Sequence, residues 1–295
     1  MPHNRRLALS ALVWASSMVA LPEGQPSRSL ARAETATAGS PRIRYLANEG
    51  VLLEGAGGRV FIDAFFGDGL PDYPAVPAAL RDSLERGLGG FAGPAAVLTT
   101  HAHRDHFDPT ALARYLGSNA EAIAVGPGET KARLDSLPGT PRERTRAVGP
   151  TLANPAEVAL GWVRLRALAI PHGQTYRPVQ HVAWLITIDG TTVLHLGDTN
   201  SDPSTWRAAG LPAGGVDVAL VPFWYALEEK RLEAVLAATR AHRVVLVHLA
   251  LDPVGTGYTE DRGGWEAFAR DLRKRFPAVE VATRPGDELA GGASL

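Results

Sequence analysis

From residue 41 onward, short apolar runs alternate with glycine-rich turns, a pattern typical of β-hairpins. Residues 50–54 and 59–63 flank a run of glycines, and residues 181–188 and 191–196 flank Asp189-Gly190. Asp-Gly is among the dipeptides most favourable for a two-residue hairpin turn. The pattern therefore predicts antiparallel strand pairs in both halves of the chain.

Other apolar runs predict further strands at residues 95–100, 162–170, 216–222 and 243–249, and amphipathic stretches predict helices near residues 78–86 and 227–239. A third helix is predicted from Pro109 to about Leu116, because Asp108 is a favourable N-cap and proline is favoured at the first helical position. Hairpins mixed with strand–helix units predict an α/β protein in which helices cover two sheets. No linker divides the chain after residue 42.

The N-terminal residues follow a different pattern. Arg5 and Arg6 precede an apolar run at residues 7–21 that is too short to span a bilayer, and Ala31-Arg32-Ala33 resembles a cleavage site. We therefore expect residues 1–33 to be a signal peptide, similar at its start to a twin-arginine signal. The mature protein is expected to be periplasmic or secreted, without a membrane span. The alternative is an N-terminal extension of a cytosolic protein.

Composition restricts the chemistry of the remaining chain. The sequence has 295 residues, of which 45% are hydrophobic and 21% charged, as in ordinary globular proteins. It contains no cysteine, which excludes thiolate ligands and disulfides. Cleavage after Ala33 would leave 26 basic and 30 acidic residues, a net charge of −4. An acidic domain is a poor partner for nucleic acid, so a small-molecule substrate is favoured. The sequence does not predict an oligomeric state.

Four candidate metal ligands occur within six residues directly after the apolar run at 95–100. They are His101, His103, Asp105 and His106. Imidazole and carboxylate groups bind divalent transition metals, and a loop can present several of them to one ion when they are close in sequence. This spacing predicts a metal site at the carboxyl end of a strand.

The H-x-H-x-D-H motif resembles the signature of the metallo-β-lactamase fold superfamily, and later landmarks match in order. His172 follows a predicted strand, Gly197-Asp198-Thr199 follows a hairpin, and His248 follows an apolar run, while the early hairpin ends at Asp63. The resemblance implies a four-layer αββα sandwich of two mixed sheets flanked by helices, as one domain at residues 42–290. Residues 48–53 and 181–199 look most like the branch containing ascorbate-phosphate lactonases and N-acyl-ethanolamine-phospholipid phosphodiesterases.

The same resemblance implies two divalent metal ions, with zinc favoured and manganese and iron as alternatives. The implied ligands are His101, His103 and His172 for one ion, and Asp105, His106 and His248 for the other, with Asp198 bridging both. It further implies that a hydroxide bound to both ions attacks the substrate. Asp105 would orient this hydroxide, and Asp63 would accept a ring N–H from a ligand histidine.

The other histidines and an aromatic cluster have weaker assignments. His181 is a candidate for assisting the leaving group, whereas His195 and His242 are interpreted as structural and surface residues. Trp224 and Tyr225 follow a predicted strand and are candidate substrate contacts, because an aromatic ring with one polar group tolerates partial exposure.

We therefore expect an exported metal-dependent hydrolase that acts on an ester, a lactone or a phosphodiester. One alternative is a cysteine-free metallo-β-lactamase, which the bridging role of Asp198 disfavours. Another is an inactive metal-binding scaffold, which the intact set of seven ligands disfavours. A tRNA-processing nuclease is disfavoured by the acidic charge, and an iron-based oxygen reductase by the imidazole at His103.

Overall fold

A seven-stranded mixed sheet forms from the first half of the chain and one C-terminal strand. The computed structural model describes residues 39–173, 178–253 and 255–289, so the predicted signal peptide lies outside the described residues. The strands of this sheet are β1 (Arg42–Ala47), β2 (Gly50–Gly55), β3 (Gly58–Ile62), β4 (Ala95–Leu98), β5 (Ala122–Pro127), β6 (Thr145–Val148) and β14 (Glu288–Leu289). Their order is β14-β1-β2-β3-β4-β5-β6, antiparallel up to β3 and parallel from β3 to β6.

The second half of the chain forms another seven-stranded mixed sheet. It contains β7 (Ala156–Ala159), β8 (Val163–Leu168), β9 (Ala183–Ile188), β10 (Thr191–His195), β11 (Val218–Pro222), β12 (Arg243–Val247) and β13 (Val279–Val281). These strands follow chain order across the sheet, antiparallel from β7 to β10 and parallel from β10 to β13. At the predicted turn between β9 and β10, Asp189 has a φ of 48° and Gly190 a φ of 80°. Positive φ at both central residues is the requirement of a type I′ hairpin turn.

Helices cover the outer face of each sheet. They are α1 (Ala78–Glu85), α2 (Pro109–Ser118), α3 (Gly128–Asp135), α4 (Glu229–Thr239) and α5 (Gly264–Arg275). Asp108 caps α2 as predicted, because its Oδ1 accepts hydrogen bonds from the Thr110 and Ala111 backbone N–H groups at 2.7 and 3.4 Å. No helix among residues 39–173, 178–253 and 255–289 is long and apolar enough to cross a bilayer.

Three apolar layers hold these elements together. The inner faces of the sheets pack on each other through side chains such as Ile62, Trp184 and Val245, all fully buried. Leu112 of α2 packs on the outer face of the first sheet, and Leu232 of α4 on that of the second. Burial of apolar surface on both faces of each sheet explains why its central strands are almost uninterrupted apolar runs. The predicted four-layer αββα sandwich is confirmed.

Candidate metal centre

The predicted ligands lie on four loops, each just beyond the carboxyl end of a strand. The loop with His101, His103, Asp105 and His106 follows β4, and His172 follows β8. Asp198 comes three residues after the end of β10, and His248 directly follows β12. The fold therefore brings together seven polar side chains that are spread over 148 positions of the sequence.

Six of these side chains divide into two groups around the seventh, Asp198. We call His101, His103 and His172 the His103 trio, and Asp105, His106 and His248 the Asp105 trio. Asp198 Oδ2 lies 3.9 Å from His101 Nε2 and 3.5 Å from His172 Nε2. The other oxygen, Oδ1, lies 3.1 Å from His106 Nε2 and 3.2 Å from His248 Nε2. Each trio thus faces its own oxygen of one carboxylate.

The distances within the Asp105 trio fit a shared cation. Asp105 Oδ2 is 3.6 Å from His106 Nε2 and 3.5 Å from His248 Nε2. Ligands about 2.0–2.2 Å from a tetrahedral ion are separated from one another by about 3.3–3.6 Å. His106 Nε2, His248 Nε2 and Asp198 Oδ1 are buried, yet they form no well-aligned hydrogen bond within the protein. Buried polar atoms normally have a partner, and a cation at the centre of the group would supply it.

The two trios differ in the charge that their surroundings favour. Burial alone would lower the pKa of His106 and of His248, but the Asp198 carboxylate beside them reverses this effect. The pKa of His106 is raised well above its ordinary value, and that of His248 to about 10. Burial lowers the pKa of His101 well below its ordinary value, so this ring is neutral and keeps a lone pair for a metal.

Asp63 holds His106 from behind. Its Oδ2 accepts a hydrogen bond from His106 Nδ1 at 2.8 Å, which directs Nε2 of the same ring toward Asp198. Thr100 donates its backbone N–H to Asp63 Oδ1 at 2.7 Å and its hydroxyl to Oδ2 at 2.5 Å. Asp63 is buried, and these hydrogen bonds fix its carboxylate in both position and orientation. This is the contact that the sequence predicted for Asp63.

Asn48 is a site residue that sequence reasoning missed. Its Nδ2 donates to the Asp105 backbone oxygen at 3.1 Å and lies 3.5 Å from Asp105 Oδ2. The backbone carbonyl of Asn48 accepts a hydrogen bond from the backbone N–H of His248 at 3.0 Å. Asn48 is fully buried and has a φ of 51°. A polar dipeptide, Asn48-Glu49, inside an otherwise apolar hairpin was the signal that could have identified it.

Gly197 allows Asp198 to approach the first loop. Its φ is 54°, and a Cβ at this position would lie 2.7 Å from His181 Nε2 and 2.9 Å from Thr100 Cβ. Only glycine tolerates both this conformation and this contact. His195 accepts the Gly197 N–H through Nδ1 at 3.2 Å and donates from Nε2 to the Glu49 carbonyl at 2.9 Å. His195 therefore has a structural role, as predicted, and it supports the Asp198 loop.

A cavity of 490 Å³, which we call the metal cavity, opens over the ligands. Ligands from both trios line it, together with Leu70, Tyr73, Arg104, Asn200 and Trp224. Trp224 is half-buried and donates from Nε1 to the Thr199 carbonyl at 3.0 Å, which fixes its ring at the cavity wall. Tyr73 packs edge-on against His248 at 4.5 Å and was not foreseen from the sequence.

Tyr225 lies away from the metal cavity, whereas His181 lies beside the His103 trio. Tyr225 is fully buried in the core, and its hydroxyl donates to the Ser201 carbonyl at 2.7 Å, so its side chain does not line the metal cavity.

His181 lies beside His101, with ring centroids 5.3 Å apart, and Nδ1 donates to the Ile170 carbonyl at 2.7 Å. Burial lowers the pKa of His181 to about 4, so the ring is neutral at pH 7. It contacts a different cavity from Trp224, and its catalytic role stays a prediction.

His242 is exposed, as predicted, with Nδ1 3.4 Å from Asp217 Oδ1.

Comparison with known proteins agrees with this fold and cluster. Residues 58–249, almost two thirds of the chain, match the family model described as a beta-lactamase superfamily domain. The chain belongs to this superfamily. Family membership and the histidine–aspartate cluster together imply divalent metal binding and support a metal-dependent hydrolase as the coarse class of the protein. No relative was found among curated proteins.

Solved structures of the superfamily fold share little sequence with this chain. A possible metal-dependent hydrolase from Veillonella parvula has a TM-score of 0.59 and 18% identity, over 86% of this chain and 99% of its own. Igni18, a metallo hydrolase from Ignicoccus hospitalis, has a TM-score of 0.56 and 19% identity, over 85% and 97%. CmlA, a diiron β-hydroxylase from Streptomyces venezuelae, has a TM-score of 0.55 and 15% identity; 86% of this chain aligns with 55% of CmlA. The chain thus spans about half the length of CmlA, and these likenesses show the fold alone.

Proposed function

We propose that the protein is a two-metal hydrolase that cleaves an ester, a lactone or a phosphodiester in the metal cavity. The observation that carries this proposal is the position of Asp198, which presents one carboxylate oxygen to each of two separate groups of ligands. A single-metal site would need only one of these groups, because three or four protein ligands suffice for one ion.

In this proposal the His103 trio holds one ion and the Asp105 trio the other, with Asp198 shared. When bound, two divalent cations would lower the pKa of a water between them and polarise the oxygen of the scissile bond. Zinc is the favoured metal, because five of the seven donor side chains are imidazoles and imidazole-rich sites suit zinc. Manganese and iron are the alternatives, and iron draws some support from CmlA, a diiron enzyme of which 55% aligns with this chain.

The protein's own residues define where the substrate binds and how the nucleophile is directed. Asp105 belongs to the wall of the metal cavity, and Asn48 holds both its backbone and its carboxylate, so we assign Asp105 the role of orienting the nucleophilic water. Trp224 and Tyr73 form an apolar part of the wall beside His248. They favour a substrate with an apolar portion next to the reacting bond. Arg104 adds one positive charge at the wall, which suits a weakly anionic group.

A metallo-β-lactamase without cysteine is the second candidate function, favoured by membership of the superfamily and by the predicted export. The carboxylate of Asp198 between the trios argues against it. An inactive scaffold is disfavoured because clustered buried carboxylates and histidines are costly to a fold unless they bind a ligand.

Metal analysis combined with a substrate panel tests this proposal. We expect about two transition-metal ions per chain after dialysis, and a higher kcat/KM for an ester, a lactone or a phosphodiester than for any penicillin or carbapenem. The ratio kcat/KM is the appropriate measure because it reports stabilisation of the transition state relative to free enzyme and substrate. Efficient turnover of a β-lactam alone would establish the second candidate instead.

We also propose that the protein acts in the periplasm or outside the cell after removal of residues 1–33. The support is the arrangement of Arg5, Arg6, the apolar run and Ala31-Arg32-Ala33. Protein recovered from the cell envelope should have a mass that corresponds to a start near Glu34. Recovery of the intact chain from the cytoplasm alone would contradict export.

A further inference from the structure

A second cavity adjoins the metal cavity and has no part in holding the metals. Its volume is 360 Å³, and we call it the side cavity. The two cavities share Gly173 and Asn200 in their walls, so they meet at this pair of residues. Gly173 directly follows the ligand His172, and Asn200 is two residues after Asp198. A molecule that extends past these two residues therefore reaches from the metals into the side cavity.

The junction between the cavities is firmly held. The backbone N–H of Asn200 donates to the His172 carbonyl at 3.1 Å, and the Thr199 hydroxyl donates to the Pro171 carbonyl at 2.8 Å. Arg231 donates to Asn200 Oδ1 at 2.5 Å. A Cβ at Gly173 would lie 3.4 Å from Asn200 Cβ, so any side chain here would fill the space beside Asn200 over which a bound molecule would lie.

The wall of the side cavity is mainly apolar. Leu152, Ile170, Pro171 and Ala209 contribute to it, and Asp202 is the one charged residue among the described residues that line it. Leu152 lines this cavity and is 55% exposed, which is a high exposure for a large apolar side chain. An apolar wall with an exposed leucine gains stability when an apolar ligand covers it, since apolar surface is then removed from water.

We propose that the side cavity binds an uncharged acyl or alkyl chain of the substrate while the scissile bond lies in the metal cavity. This inference rests on the proposed hydrolase function and specifies its substrate class. The cavity has room for about a dozen groups the size of a water molecule or a methylene, so an octanoyl chain fits. The carboxylate of Asp202 in the cavity wall disfavours an anionic group on the part of the chain that binds there. Leu152 is then the main residue that determines the preference for chain length.

Leu152→Asp tests the proposal without disturbing the core, because the side chain is already more than half exposed. Leu88→Asp is the matched control, since Leu88 is another exposed leucine, at 44%, and lines neither cavity. The substrates are the p-nitrophenyl esters of acetate and octanoate. Each buried methylene strengthens binding roughly fourfold, so the ratio of kcat/KM for octanoate over acetate should fall about tenfold or more in Leu152→Asp. Leu88→Asp should keep the ratio of the parent.

Binding of octanoate to the metal-loaded protein, measured by calorimetry, separates failure of the subsite from failure of the proposed function. If neither ester is hydrolysed, the hydrolase proposal is wrong for esters, and the binding measurement alone decides the subsite. Octanoate affinity that falls about tenfold in Leu152→Asp and is unchanged in Leu88→Asp supports the side cavity as the chain site. Equal affinities in parent, Leu152→Asp and Leu88→Asp would overturn it, whatever the esterase result.

Discussion

The two trios that share Asp198 are built differently, although each offers three donor groups. The Asp105 trio is fully buried, and residues outside the ligand set hold it: Asp63 behind His106, and Asn48 behind Asp105 and His248. The His103 trio includes the half-buried His103 at the cavity wall. Carboxylates raise the pKa of the histidines in the first group, whereas burial lowers the pKa of His101 and His103 in the second.

This difference indicates a division of labour between the two halves of the site. The Asp105 trio is buried, is held by hydrogen bonds to Asp63 and Asn48, and lies close to carboxylates. It should bind a cation tightly, because its ligands lose little conformational freedom on binding and the carboxylate charge favours the ion. Both trios reach the metal cavity, but a group with a half-buried ligand, His103, exchanges its ion more easily and leaves more room for substrate. We therefore expect the ion at the His103 trio to be removed first by a chelator.

Asp198→Ala should have the largest effect, because it removes a ligand from both halves. Loss of outer hydrogen-bond partners of metal ligands costs 10–100-fold in affinity or activity, so we expect the loss of a shared ligand to exceed about a hundredfold in kcat/KM. Metal content should fall below one ion per chain. The control is His242→Ala on the exposed surface, which should match the parent in both measurements. Similar, mild effects of the two substitutions would contradict the bridging role.

His103→Ala should separate the two halves. It removes one donor from the His103 trio and leaves every ligand and brace of the Asp105 trio in place, so about one ion per chain should remain after dialysis. Activity should be lost with the second ion. Elemental analysis checks this prediction, and loss of both ions together would show that the halves do not bind metal independently.

Asn48→Ala should weaken the Asp105 trio without removing a ligand. The substitution leaves Asp105 without its amide partner, so we expect about a tenfold loss of affinity for the more tightly held ion. Asn119→Ala is the matched control. Asn119 is also a buried asparagine, but its amide donates to the Gly93 carbonyl and the Tyr115 hydroxyl, and it belongs to neither trio. Competition with a chromogenic chelator measures both variants, and equal losses of affinity would mean that Asn48 acts only through general stability.

The smallest effect concerns pH and His181, which lies beside the His103 trio. Its folded pKa of about 4 is below the ordinary value of 6.5, so protonation favours the unfolded state. Above pH 6.5 this group costs the protein no unfolding free energy. The loss of unfolding free energy grows as the pH falls, and below pH 4 it reaches its full value of at most about 3 kcal/mol. In metal-free protein, His181→Asn should therefore lose less unfolding free energy than the parent between pH 7 and pH 4. Urea unfolding at both pH values tests this, and parallel losses in both proteins would contradict the assigned burial.

The loops that carry the candidate ligands could be predicted from the sequence because each follows an apolar strand. Histidine and aspartate residues in such numbers have few roles other than metal binding. The hairpin turn at Asp189-Gly190 and the cap at Asp108 could be predicted because their signals are local. Strands β6 and β7 were missed because they are edge strands with alternately or mostly exposed side chains. Helix α5 was missed because it begins at Gly263-Gly264 without a side-chain cap.

The braces of the Asp105 trio could not be predicted in the same way. Asn48 and Asp105 are 57 residues apart, and their contact depends on how the turn between β1 and β2 lies against the loop after β4. Tyr73 reaches His248 from an irregular segment that no periodic pattern marks. Conversely, Tyr225 follows Trp224 in sequence, but a short 3₁₀ helix at Phe223–Ala226 directs the two side chains to different places.

The most direct test of a two-metal site around Asp198 is the metal content of the purified mature protein after extensive dialysis, measured by elemental analysis together with activity. We predict about two transition-metal ions per chain, with activity that rises as the second ion is added back to partly depleted protein. One tightly held ion per chain with full activity would contradict the two-metal site.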